Sequence, residues 1–92
     1  MSLLKMVEDI HPVDENGVHR RYVFSNGYQL SAVKFWASYG GDKNLWEIAV
    51  LNNDDEFVTG DFFPERAADD DVIGYVNNDE LKNYVRQLEE LL

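Results

Sequence analysis

Two strand-forming segments lie close together in the middle of this chain and constrain its fold more than any other feature. Residues 28–35 and 45–51 are rich in β-branched and aromatic residues, and apolar and polar side chains alternate along both. The pair Gly40-Gly41 lies between them, where a chain reversal needs small residues. The stretch YQLSAVKFWASYGGDKNLWEIAVL therefore predicts a β-hairpin, around which the rest of the chain is arranged.

The flanking segments extend this hairpin. Asn26-Gly27 joins a strand candidate at 18–25 to the segment at 28–35, and this dipeptide favours a two-residue type I′ turn. A further turn at 52–55 leads into a fourth strand candidate at 56–60. Residues 3–10 are apolar enough to form a short strand or a helical turn. The sequence predicts a three- to four-stranded antiparallel β-meander within a single domain, residues 1–92.

An amphipathic helix is predicted at the C-terminus. Asn78 is a suitable N-cap, and Asp79 and Glu80 follow it at the positive end of the helix dipole. Because an isolated helix of about 14 residues is marginal in water, we expect it to dock on one face of the sheet, the face of Trp46, Ile48 and Val50. The fold class is therefore α+β. The apolar stripe of the helix comprises Leu81, Tyr84, Val85, Leu88, Leu91 and Leu92.

Composition narrows the class of protein. Apolar residues make up 45% of the chain, which is typical of a globular protein and not of a disordered one. There is no cysteine, so disulfides and thiolate metal sites are excluded. The sequence has no apolar run long enough to span a membrane, and its first residues do not have the pattern of a signal peptide. These features predict a cytoplasmic protein.

Negative charge is concentrated in one part of the chain. The formal net charge is −10, and residues 51–81 hold ten acidic residues against Arg66 alone. Such a field repels nucleic acids and anionic membranes, and it favours a basic protein surface. The acids either keep the protein soluble or imitate the phosphates of a nucleic acid and so bind a protein with a basic surface. The candidate binding residues, which we call the acidic segment (residues 54–71), are Asp54, Asp55, Glu56, Asp61, Glu65, Asp69, Asp70 and Asp71.

Several short blocks resemble a group of small, acidic, uncharacterised proteins of tailed bacteriophages and prophages. The blocks are NGY at 26–28, SxVK at 31–34, SYGG at 38–41, LWEIAVL at 45–51 and DDVIGY at 70–75. The resemblance covers roughly residues 22–91, although the acidic loop at 61–71 is longer than in the pattern, and it implies a phage or prophage origin, with the host cytoplasm as the compartment. It implies no catalytic residue.

A calcium loop is an alternative interpretation of residues 69–80. Taken as a twelve-residue loop, this segment supplies oxygen ligands from Asp69, Asp71, Asn77 and Glu80, with Gly74 at the turn position. Ile73 departs from the pattern because it occupies a ligand position. The competing prediction is that residues 72–75 form one turn that fills the core while the acids are solvated.

Catalysis is not predicted. The two histidines, His11 and His19, lie in a loop and at the start of a strand, and no serine is flanked by the glycines of a nucleophile elbow. Gly40-Gly41 precedes a strand, whereas a phosphate-binding loop precedes a helix. No cofactor is predicted.

The apolar second face of the sheet predicts a further partner. One helix covers one face only, and Leu45, Ala49 and Leu51 lie on the other. That face needs cover from residues 3–10, from residues 61–71 or from another chain, so homodimerisation through this face or through an edge strand is a further prediction. The sequence thus favours a phage accessory protein that acts by binding. The alternatives are a homo-oligomeric structural or regulatory protein and a small Ca²⁺-binding module.

Overall fold

Five strands form one antiparallel sheet in the computed structural model, which describes residues 1–68 and 70–92. The α+β class is confirmed, but the predicted number of strands is too low. The strands follow one another across the sheet in the order in which they occur in the sequence. The helix α1 occurs in the sequence between β4 and β5. The elements are β1 (Leu3–Ile10), β2 (Val18–Phe24), β3 (Gln29–Lys34), β4 (Trp46–Leu51), α1 (Thr59–Phe62), β5 (Ile73–Val76) and α2 (Asn78–Leu91).

The additional strands come from segments with weak sequence patterns. Residues 3–10 form the edge strand β1, and the turn predicted at 72–75 is instead β5, where Ile73 pairs with Ile48. The strand predicted at 56–60 is wrong. After a single bridge between Leu51 and Phe57 the chain turns into α1.

The turn between β2 and β3 has three loop residues, 25–27, instead of the predicted two. The Phe24 N–H donates to the Tyr28 carbonyl at 2.9 Å, and the Gly27 N–H donates back to the Phe24 carbonyl at 2.9 Å. Gly27 has a φ of +89°, whereas Asn26 is not among the residues with positive φ. A type I′ turn requires positive φ at both central positions, so the predicted turn type is wrong. The geometry is that of a type I turn followed by a glycine bulge.

The β3–β4 connection is a compact loop of residues 35–45 and not a tight glycine turn. The buried Ser38 hydroxyl donates to the Phe35 carbonyl at 2.8 Å and accepts the Phe35 N–H at 3.0 Å. Gly40 has a φ of +94°, and its α-carbon lies against the backbone of Tyr75. The Tyr75 N–H donates to the Tyr39 carbonyl at 3.1 Å, which attaches this loop to β5.

One cluster of buried side chains forms the core. It combines residues from the sheet with Phe63, which follows α1, and four residues of α2. The sheet residues of β2–β4 in it are all even-numbered, as the period of two requires. Leu91 of the predicted helical stripe is 57% exposed because it lies at the margin of that stripe, whereas Leu92, the next residue, packs against the cluster. The cluster comprises Phe24, Leu30, Ala32, Trp46, Ile48, Val50, Phe63, Ile73, Val76, Leu81, Tyr84, Val85 and Leu88.

The start of α2 lies one residue before the predicted position. Asn77 is the N-cap, and it forms a capping box: its Oδ1 accepts the Glu80 N–H at 2.8 Å, while its own N–H donates to Glu80 Oε1 at 3.1 Å. Asn78, the predicted cap, instead accepts a hydrogen bond from the Trp46 indole N–H at 2.9 Å. The two adjacent asparagines thus have different structural roles.

We expect Asn77→Ala to lower the free energy of unfolding by about 1 kcal/mol, because it leaves the Glu80 N–H without its acceptor. Urea denaturation followed by circular dichroism measures the loss. Asn83→Ala on the exposed side of α2 is the matched control, and alanine there should be neutral or stabilising by a few tenths of a kcal/mol. Equal effects at the two positions would contradict the cap assignment.

Candidate protein-binding surface

The first acids of the acidic segment lie on a turn held by Asn52. Its Oδ1 accepts the backbone N–H groups of Asp54 at 2.9 Å and Glu56 at 3.0 Å, and its amide donates to Glu56 Oε1 at 3.0 Å. Asp55 has a φ of +60°, a conformation that aspartate tolerates better than most residues. All three acids are exposed. The turn therefore presents Asp54 and Asp55 to solvent on a defined backbone.

The next part of the segment is attached to the sheet by Thr59. This residue is fully buried, and its hydroxyl accepts the Val50 N–H at 2.9 Å. The Val58 N–H donates to the Val50 carbonyl at 2.8 Å. Thr59 begins α1, where Asp61 is exposed, so the sheet fixes the position of that carboxylate.

The two ends of the following loop meet at Asp71. Its Oδ1 accepts the Gly60 N–H at 2.7 Å, which brings the start of α1 next to residues 70–71. Asp61 and Asp70 are each within one residue of this contact and are exposed. The structure thus brings Asp61, Asp70 and Asp71 together, while Glu65 lies on an exposed turn between them. Asp69 lies outside the described residues.

The basic residues do not neutralise this segment. Within the described part of the chain, ion pairs join Arg20 to Glu8 at 2.6 Å and Arg21 to Asp9 at 3.7 Å, both across β1 and β2. Arg66, the one base inside the segment, donates to the Tyr84 hydroxyl at 2.8 Å, and this bond raises the pKa of Arg66. The described acids of the segment form no ion pair with another described residue. All of these described acids except the half-buried Asp71 are exposed to solvent.

Two cations are held elsewhere by an aromatic ring, an arrangement that the sequence did not indicate. The Arg20 guanidinium and the Lys34 ammonium lie 4.6 and 4.2 Å from the Trp46 ring centroid. Burial lowers the pKa of Lys34, the nearby Arg20 lowers it further, and Glu8 raises it. Arg20, Lys34 and Trp46 are all even-numbered, which is consistent with their lying on one face of the sheet. No local pattern in the sequence, however, indicates a contact between residues that are 26 positions apart.

The predicted calcium ligands have other partners. Asp71 accepts the Gly60 N–H, and Asn77 and Glu80 form the capping box of α2. Residues 73–76 between them belong to the strand β5 and do not form a loop. No group of three or more His, Asp or Glu residues suited to a metal is found in residues 1–68 and 70–92. The calcium hypothesis includes Asp69, which the structure does not describe, and it remains a prediction.

A histidine–serine contact occurs on the odd-numbered face of the sheet. His19 Nε2 lies 2.9 Å from Ser31 Oγ, and burial, followed by the charges of Arg21 and His11, lowers the pKa of His19. Ser31 is in β3, and this strand pairs with β2 on one side and with β4 on the other. The backbone amides around Ser31 are therefore used in the ladder and are not free to stabilise an oxyanion. This geometry favours a structural hydrogen bond.

The odd-numbered face differs from its prediction. Ala49 is buried, and Leu45 and Leu51 are half-buried, but the same face also carries His19, Arg21, Gln29, Ser31 and Glu47. The most exposed large apolar side chains are instead in β1 and in loops, with Trp36 at 72% and Val13 at 71% exposure. The second face is therefore a mixture of apolar and polar residues and not the apolar surface that the sequence predicts.

Comparisons with known proteins add no assignment. The chain matches no protein-family model, no curated protein and no solved structure. In the described part of the chain, each helix is too short or too polar to cross a lipid bilayer.

Proposed function

We propose that this protein is an accessory protein of a tailed bacteriophage or prophage and that it acts by binding a basic protein surface, without chemistry of its own. The observation that carries the proposal is the charge arrangement: the described acids of the acidic segment are exposed or half-buried and form no ion pair with a described base. The phage origin rests on the sequence blocks between residues 26 and 75. The protein would act in the cytoplasm of the host cell.

The fold supports this role by holding the acids in place. We propose that α2 covers the even-numbered face of the sheet, since Leu81, Val85 and Leu88 are buried in one cluster with the even-numbered residues of β3 and β4. The acidic segment connects β4 to β5 and is attached to the core by Phe63, and Thr59 and Asp71 fix its backbone. A preorganised array of charges loses less entropy on binding than a flexible acidic tail does.

The partner we expect is a host or phage protein whose Lys/Arg surface otherwise binds nucleic acid. Such a groove attracts carboxylates and phosphates for the same electrostatic reason. Direct binding of nucleic acid or of an anionic membrane is disfavoured, because the net charge of −10 repels both.

Neutralising part of the acidic segment tests the proposal. We expect the triple variant Asp54→Asn, Asp61→Asn and Asp70→Asn to weaken partner binding roughly threefold to hundredfold, as three exposed ion pairs would. None of these three side chains accepts a hydrogen bond from a residue that the structure describes, so the fold should be retained. The measurement is capture from a bacterial lysate, then titration of the isolated partner at low and high salt.

A control with the same change in net charge separates a specific surface from overall charge. Glu15→Gln, Asp42→Asn and Glu90→Gln also remove three exposed charges, outside the acidic segment. Only the first variant should lose affinity, wild-type binding should fall steeply with salt, and duplex DNA should compete for the partner. Equal losses in both variants, or binding indifferent to salt, would contradict the proposal.

A further inference from the structure

The outer edge of β1 has no strand beside it in the described structure. The strand order is β1-β2-β3-β4-β5, so β1 and β5 are the edges, and β1 is the longer with eight residues against four. The His11 N–H donates to the Gly17 carbonyl at 3.0 Å, which continues the β1–β2 ladder and identifies the odd-numbered residues of β1 as the ones bonded to β2. Met6, Glu8 and Ile10 therefore direct their backbone N–H and C=O groups outwards.

The side chains along this edge are unusually apolar for an exposed strand. Leu4 is 64% exposed, Met6 47% and Ile10 70%. Natural edge strands are commonly protected by being short or by carrying charges that block pairing. Here the strand is long, and its charged residues, Lys5, Glu8 and Asp9, include both signs. Such an edge is suited to pairing with a further strand.

We propose that the partner of this edge is a second copy of the same chain, paired antiparallel along β1 about a twofold axis at Val7. In such a pair Lys5 of each copy lies opposite Asp9 of the other, and Met6 lies opposite Glu8. A twofold interface requires this reciprocity, in which residue i meets j and j meets i. The charges of β1 meet that requirement in this register, and the two sheets join into one ten-stranded sheet.

Neighbouring registers are less favourable. Opposite residues in an antiparallel pair point to the same face, so the axis must pass through a residue that pairs with itself. An axis at Met6 places Lys5 opposite Val7, and an axis at Glu8 places two glutamates opposite each other, which is destabilising. Asp9 also lies 3.7 Å from Arg21 in an exposed, weak ion pair. Its carboxylate can therefore form a second ion pair with Lys5 of the other copy.

A cysteine at the axis tests the register directly, because the chain has no other cysteine. Val7→Cys should form a disulfide-linked dimer under mild oxidation, since opposite residues in a non-hydrogen-bonded pair have their α-carbons about 4.5 Å apart. Lys5→Cys is the matched control. In the proposed register its two copies are separated by four residues, roughly 13 Å, which is beyond disulfide reach. Equal cross-linking of both variants, or of neither, would overturn the proposal.

Charge exchange gives a second test that does not require a covalent bond. Sedimentation equilibrium over about a hundredfold range of concentration should show dimerisation of the wild type by mass action. Lys5→Glu and Asp9→Lys should each weaken the dimer at least several-fold, because each places like charges opposite each other. An equimolar mixture of the two variants should dimerise again, since its opposite residues have complementary charges.

The mixture also distinguishes this interface from others. Circular dichroism of the single variants checks that both are folded, and both changed side chains are exposed. A wild type that is monomeric at the highest concentration would overturn the proposal. So would single variants that dimerise as the wild type does, because the interface would then lie elsewhere. If the β1 edge instead pairs with a strand of an unrelated protein, the isolated wild type would also be monomeric.

Discussion

Leu88→Ala is expected to lower the free energy of unfolding by about 2–5 kcal/mol. Leu88 is fully buried in the core cluster, and its truncation leaves a cavity in that cluster. The helix depends on such contacts, because a helix of its length is marginal in isolation. In a protein whose total stability is roughly 5–15 kcal/mol, this is a large fraction. Urea denaturation followed by tryptophan fluorescence and by circular dichroism measures it.

Leu91→Ala is the control, since the residue type and the helix are the same and only the burial differs. Leu91 is 57% exposed, so its truncation removes little buried apolar surface and should cost less than about 1 kcal/mol. Similar losses for both variants would contradict the placement of the helix. A loss at Leu91 with none at Leu88 would mean that α2 is rotated about its axis, so that Leu91 and not Leu88 is buried.

The strong periodic signals in the sequence predicted the centre of the fold. Alternation along 45–51 identified β4, and the stripe that includes Leu81, Val85 and Leu88 identified α2, because burial of one face imposes those periods. Leu91 shows the limit of this reasoning. Its spacing matches the stripe, but it lies at the margin of the stripe and is exposed, while Leu92 packs against the core cluster.

Short segments were harder to predict because their conformation depends on tertiary partners. The strand β5 has only four residues, one of them Gly74, so the sequence shows no alternation of apolar and polar residues there. Its Tyr75 has a φ of +57°, which is irregular for a strand. Residues 56–60 include Phe57 and Val58, which favour a strand, yet the Thr59 hydroxyl accepts the Val50 N–H and the chain turns into α1. In both segments the pairing with β4 overrides local propensity.

The candidate surface was predictable in composition but not in geometry. Counting charges located the acidic segment, since ten acids against one base within residues 51–81 is a compositional signal. The contacts that hold it, Asn52 with the turn and Gly60 with Asp71, join polar atoms without any pattern that sequence reasoning detects. The same applies to Arg20 and Lys34 around Trp46, since cation–π contacts between distant residues have no spacing rule.

Gly41→Ala is expected to destabilise the protein by about 1–3 kcal/mol or more, although the sequence indicates a simple glycine turn at this position. A methyl group on Gly41 would overlap the carbonyl oxygen of Phe35 and lie 2.5 Å from the Ser38 hydroxyl oxygen. That hydroxyl accepts the Phe35 N–H and donates to the Phe35 carbonyl, so the methyl group would displace both hydrogen bonds. Thermal unfolding followed by circular dichroism measures the effect.

Gly60→Ala is the matched control because it adds the same methyl group in α1. There the nearest atom is Asp71 Oδ1 at 3.0 Å, the end of a side chain that can shift, and alanine favours the helix by up to about 1 kcal/mol over glycine. The net change at Gly60 should therefore be small. If Gly41→Ala were equally mild, the loop at 35–45 would not be packed as closely as the structure shows. A large loss confined to Gly41 would establish that close backbone approach, and not turn flexibility, requires glycine there.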